Sequence, residues 1–132
     1  MLEAPQITLF FTAIFVLVSV PMSIMVGLRR AKTGIMLLHG DDEDLLKRMR
    51  AHGNFTEYVP LALLALAGAE ITGAPGWFVM VCGGVLLLAR LIHYAALRRS
   101  ATSGGRLVGA AMTSLVMTVL AATILAQLAG MV

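Results

Sequence analysis

The sequence contains few ionisable side chains and a single cysteine. Ten Lys or Arg and seven Asp or Glu make up 13% of the 132 residues, while 59% are hydrophobic. Soluble domains average about 25% charged residues. One cysteine excludes a disulfide framework, and so few charges exclude a disordered chain and a broad basic face for nucleic acid. The mean hydropathy of +0.91 points instead to a membrane protein.

The charges are unevenly distributed along the chain. Residues 4–28, 71–89 and 107–132 carry none, and residues 51–69 carry only Glu57. About 20 apolar residues cross a bilayer as an α-helix. The pattern therefore predicts an all-α membrane protein, a bundle of four transmembrane helices in one domain over residues 1–132. The predicted spans are 6–28, 49–69, 75–97 and 107–131.

Basic residues in the connections predict the orientation of these spans. Cytoplasmic loops carry an excess of Lys and Arg, and the connection over residues 71–76 has neither. Both termini are therefore expected outside the cell, in the inner membrane, with the first and third loops in the cytoplasm. The basic residues of those two loops are Arg29, Arg30, Lys32, Lys47, Arg48, Arg50, Arg98, Arg99 and Arg106.

Local signals agree with the predicted ends of the spans. The acidic run over residues 41–44 can cap a helix and complement its dipole. Gly and Pro in residues 72–76 predict a tight turn before the third span. The apolar residues 35–38 in the long first loop are expected at the membrane interface, and Glu70 is expected to be merely interfacial at the outer end of the second span.

Two charged residues stand out because they lie deep inside the predicted spans. Charges within the bilayer are costly and usually functional. Glu57 lies seven residues past Arg50, about 10 Å deeper, and Arg90 lies eight residues before Arg98, about 12 Å deep on the same side. Because a short turn joins their spans, Glu57 and Arg90 can pair or line one cavity. A plain structural ion pair between the helices stays an open alternative.

Polar residues on the second span share one helical face. Arg50, Asn54 and Glu57 stand at i, i+4 and i+7, so they form one stripe at 100° per residue. A base, an amide and a carboxylate in line suit a polar ligand that carries both charge signs.

The third span carries a similar stripe of Arg90, His93, Tyr94 and Leu97. His93 could ligate haem or another metal, but no second ligand stands at motif spacing. No metal site is therefore predicted.

Three segments resemble the MAPEG family, the membrane-associated proteins in eicosanoid and glutathione metabolism. Residues 50–60, which read RAHGNFTEYVP, are similar to the family's Arg-Ala-His-x-Asn-x-x-Glu signature followed by a proline. Residues 89–94, ARLIHY, and residues 106–109, RLVG, resemble two further family segments. The resemblance extends over essentially the whole chain and is strongest to the small bacterial branch.

The resemblance implies a homotrimer of four-helix protomers. It also implies glutathione, as co-substrate, bound between neighbouring protomers in the cytoplasmic half of the membrane. Arg106 matches an arginine thought to stabilise the glutathione thiolate, so it is the implied catalytic residue. The residues implied to bind or support glutathione are Arg50, Asn54, Glu57, Tyr58, Arg90, His93 and Tyr94.

The resemblance leads to a glutathione-binding transferase or peroxidase that acts on lipophilic electrophiles dissolved in the membrane lipid. Leu97 replaces a tyrosine that often contacts glutathione in the eicosanoid enzymes, and Leu107 and Ala110 replace polar or aromatic residues of some isomerases. The alternative is therefore a non-catalytic lipid-binding protein of the same fold. A proton-coupled drug exporter is disfavoured, because its membrane carboxylate would lie in the first span.

Overall fold

Four α-helices make up almost all of the computed structural model, which describes residues 4–99 and 104–130. They are α1 (Gln6–Thr33), α2 (Glu43–Ile71), α3 (Gly76–Arg99) and α4 (Gly104–Leu128), and there is no strand in this part of the chain. The predicted all-α fold with four helices is confirmed. The helices extend beyond the predicted spans where the basic residues lie, and α4 ends at Leu128 rather than at residue 131, which lies outside the described residues.

All four helices are long enough to cross a bilayer. They have 24 to 29 residues, so each is roughly 36–44 Å long against a hydrocarbon core of about 30 Å. By length and composition, α1, α3 and α4 qualify as membrane spans. α2 does not qualify by composition, because its first half is polar and includes Arg50, Asn54 and Glu57. Its passage across the membrane therefore stays a prediction.

The packing of α2 supports that prediction. α2 contacts all three other helices and runs antiparallel to α1 along its whole length. Thr8 of α1 contacts Glu70 near the end of α2, and the rings of Phe15 and Phe55 lie 5.8 Å apart midway. Arg29 near the end of α1 contacts Asp42 at the start of α2. A helix that lies beside a membrane span over this length occupies the same thickness of bilayer.

The charged end of the bundle, where α1 and α3 end and α2 and α4 begin, is held by carboxylates. The Asp42 side chain caps α2 by accepting the Leu45 backbone N–H at 2.6 Å, as the acidic run predicts. Asp42 also pairs with Arg29 at 2.7 Å. These interactions hold the pKa of Asp42 below its usual range, because the Arg29 guanidinium and the Leu45 N–H both stabilise its ionised form.

Asp44 ties three helices together at the same end. It accepts hydrogen bonds from Arg48 on its own helix at 2.8 Å and from Arg98 on α3 at 3.0 Å, and Arg29 of α1 lies at 3.4 Å. The Arg48 and Arg98 guanidinium groups lower the pKa of Asp44. Its carboxylate therefore stays ionised at neutral pH, and the cluster fixes the ends of α1, α2 and α3 relative to one another.

The opposite end, called here the turn end, contains the short connection between α2 and α3. Gly73 takes φ +108° there, a conformation that glycine adopts without steric cost. Thr72 contacts Gln127 of α4 at 2.5 Å between their side-chain oxygens. Gln127 lies near the end of α4, and Ile7 at the start of α1 also lies at this end through Glu70. The first turn of α1 and the last turn of α4 thus lie at the same end of the bundle, as four antiparallel spans require.

Glu70 caps the first turn of α1 from another helix. Pro5 at the N-cap position supplies no side-chain hydrogen bond. The Glu70 carboxylate instead accepts the backbone N–H groups of Ile7 at 2.9 Å and Thr8 at 2.8 Å, and the Thr8 hydroxyl at 2.7 Å. Free N–H groups at a helix start need acceptors, and negative charge there complements the helix dipole. Glu70 is therefore a structural residue, not a merely interfacial one.

We expect Glu70→Gln to destabilise the fold. The amide keeps one acceptor oxygen but loses the charge and the second oxygen, so we expect a loss of about 1–3 kcal/mol. The midpoint of thermal unfolding in detergent measures it. Glu43→Gln is the matched control, because that carboxylate lies on the same helix and is 86% exposed. Equal midpoints for the two variants would contradict the capping role.

Candidate functional site

A buried polar layer joins α2, α3 and α4 around Arg90. The Arg90 residue is only 3% exposed. One terminal nitrogen donates to the Asn54 side-chain oxygen at 2.8 Å, and the other donates to the Gly109 backbone oxygen at 3.0 Å. The Tyr58 ring centroid lies 5.4 Å from the guanidinium carbon. Asn54, Tyr58 and Arg90, which the family resemblance implies belong to one site, therefore lie together in the structure.

Gly109 allows α3 and α4 to approach closely at this layer. A Cβ atom at position 109 would lie 2.7 Å from the Ala89 backbone oxygen, 2.7 Å from the His93 Cβ and 2.9 Å from the His93 nitrogen. Two of these atoms belong to the α3 backbone, which cannot give way cheaply. The Thr113 hydroxyl donates to the same Gly109 oxygen at 2.8 Å. The layer thus depends on the absence of a side chain at this position.

His93 connects α3 to the start of α4. Its Nδ1 lies 3.1 Å from the Arg106 backbone oxygen, and a carbonyl can only accept, so Nδ1 carries the proton. His93 is 6% exposed, and its Nε2 has no hydrogen-bond partner among the described residues. His93 therefore holds the backbone at Arg106 in place from inside the bundle.

Arg106 and Arg50 both line a pocket at the charged end. The pocket has a volume of about 350 Å³, and Leu97 supplies part of its apolar wall. Its lining includes three positive side chains and one carboxylate, and that carboxylate, Glu43, lies 3.9 Å from the Lys47 ammonium nitrogen. This arrangement can hold an anion together with a neighbouring positive group. The lining residues are Glu43, Leu46, Lys47, Arg50, Leu97 and Arg106.

Glu57 does not pair with Arg90 within the protomer, so that expectation needs correction. Arg90 donates to Asn54 and Gly109 instead, while Glu57 is exposed on the surface of α2. The rotation of the helix explains the difference. Tyr58 and Glu57 point about 100° apart, and Arg90 lies on the Tyr58 side of Asn54. Glu57 instead shares an exposed face with Arg50.

Tyr94 lies in a different cavity, among α1, α2 and α3. This cavity has a volume of about 310 Å³ and an almost wholly apolar lining that includes Phe55, Met22 and Arg90. Arg90 thus lies between the apolar cavity on one side and the polar layer on the other. Apart from Glu57, which lies on the exposed face of α2, the predicted site residues occupy three neighbouring places: the polar layer, the pocket at the charged end, and this apolar cavity.

Comparison with known proteins gives one family and one kind of relative. A model described as the MAPEG family matches residues 8–126. The chain is 44% identical over 55 residues to the "Inner membrane protein YecN" of Escherichia coli strain K12, and equally to that of strain O6:H1. The aligned stretch covers 42% of this chain and 42% of each relative. The chain therefore spans less than half of the length of the curated relatives that it matches.

Proposed function

Because this chain belongs to the MAPEG family of helical membrane proteins, we propose that it is a glutathione-dependent transferase or peroxidase of the inner membrane. Family membership supports a role in glutathione or lipid chemistry, and the relatives' printed name supports the location. The observation that carries the proposal is the pocket shared by Arg50 and Arg106 at the charged end.

The charged side chains of that pocket match the charged groups of glutathione. The tripeptide carries two carboxylates, one ammonium group and one thiol. Arg50 and Lys47 can each hold a carboxylate, because guanidinium and ammonium groups donate charge-assisted hydrogen bonds. Glu43 offers a carboxylate for the ammonium group. Asn54, Tyr58 and Arg90 lie one layer deeper and support the helices that carry these side chains.

Arg106 has the role of thiolate stabiliser. A free thiol has a pKa near 8.5 and is mostly protonated at neutral pH, whereas the thiolate is the nucleophile. A guanidinium group next to the sulfur favours the ionised form, and the proton leaves to water. His93 is a positioning residue, because its Nδ1–H bond holds the Arg106 backbone.

Two reactions use the same thiolate. With chlorodinitrobenzene, the sulfur attacks the ring carbon, a C–S bond forms and chloride leaves. With a lipid hydroperoxide, the sulfur attacks the terminal peroxide oxygen, the O–O bond breaks, and the alkoxide takes a proton to give an alcohol. The resulting sulfenic acid reacts with a second glutathione to give the disulfide and water. The protein's contribution is chiefly the proximity of a water-soluble nucleophile to a lipid-soluble acceptor.

The assembly is part of the proposal. Arg50 and Glu57 share an exposed face of α2, and Glu57 makes no ion pair with any described residue. A carboxylate facing lipid is costly. In a homotrimer with both termini outside and the charged end in the cytoplasm, a neighbouring protomer covers this face, so Glu57 and Arg50 complete a glutathione site between protomers.

Two measurements on the purified protein test the function. We expect glutathione to bind by calorimetry and the protein to conjugate it to chlorodinitrobenzene. Arg50→Ala should weaken glutathione binding by about tenfold to a hundredfold, since one lost charge-assisted hydrogen bond is worth about 1.5–3 kcal/mol. Lys32→Ala, which removes a basic residue that does not line the pocket, is the control. Absence of both binding and conjugation would refute the proposal.

A second candidate function is non-catalytic lipid binding on the same fold. It is favoured by Leu97, which gives the pocket an apolar wall, and by the apolar cavity beside Tyr94. Lipid that co-purifies with the protein, together with no measurable affinity for glutathione, would select this function over the enzyme.

A further inference from the structure

The connection between α1 and α2 presents three consecutive apolar side chains to the outside. Met36, Leu37 and Leu38 are 79%, 84% and 76% exposed, the three highest values among the large hydrophobic residues in the described part of the chain. Residues 34–40, which contain them, are referred to here as the finger. Apolar side chains of this size are normally shielded from water by other parts of the protein. A contiguous exposed group of them marks a contact with a protein or a membrane.

Arg30 holds the backbone of the finger in one shape. A single terminal nitrogen of Arg30 lies 3.1, 3.0 and 3.0 Å from the carbonyl oxygens of Ile35, Met36 and Leu38. Its other terminal nitrogen contacts the Met49 sulfur at 3.3 Å. Carbonyl groups must have internal partners before a non-helical segment can enter a lipid environment. The Arg30 contacts supply partners for three of them.

Leu38 occupies a strained backbone conformation. Its φ of +54° makes it the one non-glycine residue with positive φ that the structure describes. Left-handed backbone is unfavourable for a residue with a Cβ, whereas glycine adopts it freely. A strained backbone conformation of this kind often has a functional reason. The Leu38 side chain is exposed and apolar, so the contact that it can make is an apolar one.

The surroundings of the finger identify the membrane as its partner. Leu17, Ile24 and Leu28 are exposed at 74%, 54% and 65% and form a lipid-facing stripe along α1 that leads to the finger. Lys32 is exposed at the base of the finger and makes no ion pair with a described residue. Apolar side chains beside basic ones are typical of segments that lie in the interface of an anionic bilayer.

We propose that the finger is a lipid-inserting anchor, in which Met36, Leu37 and Leu38 enter the bilayer interface at the charged end and Lys32 meets anionic headgroups. The anchor fixes the height of the connection beside the pocket of Arg50 and Arg106. It does not depend on glutathione chemistry, so its test is independent of the proposed function.

A single tryptophan reports the position of the finger. The chain has one natural tryptophan, Trp77, so Leu37→Trp in a Trp77→Phe background places the only tryptophan at the tip, where it can be excited selectively over tyrosine. Asp41→Trp in the same background is the matched control, because Asp41 is exposed just beyond the finger. The proteins are reconstituted into vesicles of mixed zwitterionic and anionic phospholipid.

We expect the tryptophan at position 37 to emit at a shorter wavelength than the tryptophan at position 41. We also expect lipids brominated near the headgroup end of the acyl chain to quench it. Quenching by aqueous iodide should be several-fold weaker at position 37 than at position 41. Equal iodide quenching at both positions would overturn the proposal. Protection from iodide without quenching by brominated lipid would also overturn it, because a second copy or another protein would then cover the finger.

Leu38→Gly separates anchoring from folding. Added to the Leu37→Trp protein, it removes one apolar side chain and relieves the strained backbone, so the unfolding midpoint in detergent should stay equal or rise. Quenching by brominated lipid should nevertheless fall. Unchanged lipid quenching would refute the role assigned to Leu38.

Discussion

Arg106→Ala is expected to lower kcat/KM for chlorodinitrobenzene by about tenfold to a hundredfold, because each unit of thiol pKa changes the thiolate fraction tenfold. Glutathione binding should remain largely intact, since Arg50 and Lys47 still line the pocket. The His93 hydrogen bond goes to the Arg106 backbone oxygen, so the variant keeps it. Absorbance of the thiolate in the ultraviolet, titrated against pH in the presence of glutathione, measures the change directly.

Arg106→Lys is the matched control for this prediction. It keeps the positive charge and should retain most of the thiolate at neutral pH, with a smaller loss of rate because an ammonium group lacks the planar fork of guanidinium. Normal conjugation by Arg106→Ala would show that the thiolate is stabilised elsewhere. A loss of glutathione binding as large as the loss of rate would assign Arg106 to binding alone.

Gly109→Ala is expected to destabilise the packing of α3 against α4. The added Cβ would meet the α3 backbone and the His93 Cβ at 2.7–2.9 Å, so α3 and α4 must separate. Overpacking of this kind costs about 1–3 kcal/mol. The separation also pulls the Gly109 oxygen away from Arg90 and leaves part of a buried guanidinium without an acceptor. Thermal unfolding in detergent should show a clearly lower midpoint.

Gly84→Ala provides the comparison for the close approach at Gly109. Gly84 lies within α3 and is exposed, and a Cβ there would meet nothing within 4 Å. Alanine is the better helix former by roughly 1 kcal/mol, so this variant should unfold at an equal or higher temperature. If both glycine variants unfold alike, α3 and α4 are not packed as tightly at Gly109 as described.

Much of the fold follows from local features of the sequence. Charge-free runs predict the number of helices, because only helices of that length bury an apolar chain in lipid. Asp42 begins α2 and Pro75 precedes α3 as their capping and turn chemistry requires. These signals lie in continuous stretches of the chain, so no tertiary contact is needed to read them.

The candidate site was only partly predictable from the sequence. Equal depth along the predicted spans pairs Arg90 with Glu57, whereas the structure places Arg90 in the polar layer without Glu57. The actual acceptors are the Asn54 amide and the Gly109 backbone oxygen. Depth follows from counting 1.5 Å per residue, whereas the choice of partner depends on how far each helix is rotated about its axis, and packing against other helices determines that rotation.

The sequence by itself thus determined the all-α helical class, the number of helices and the acidic cap of α2. Only the tertiary structure decided that Glu70 caps α1, that Arg50 and Arg106 share a pocket, and that Glu57 faces outward. The reason is physical: composition and capping act along the chain, while these contacts join helices that are far apart in sequence and meet only when their side chains interlock.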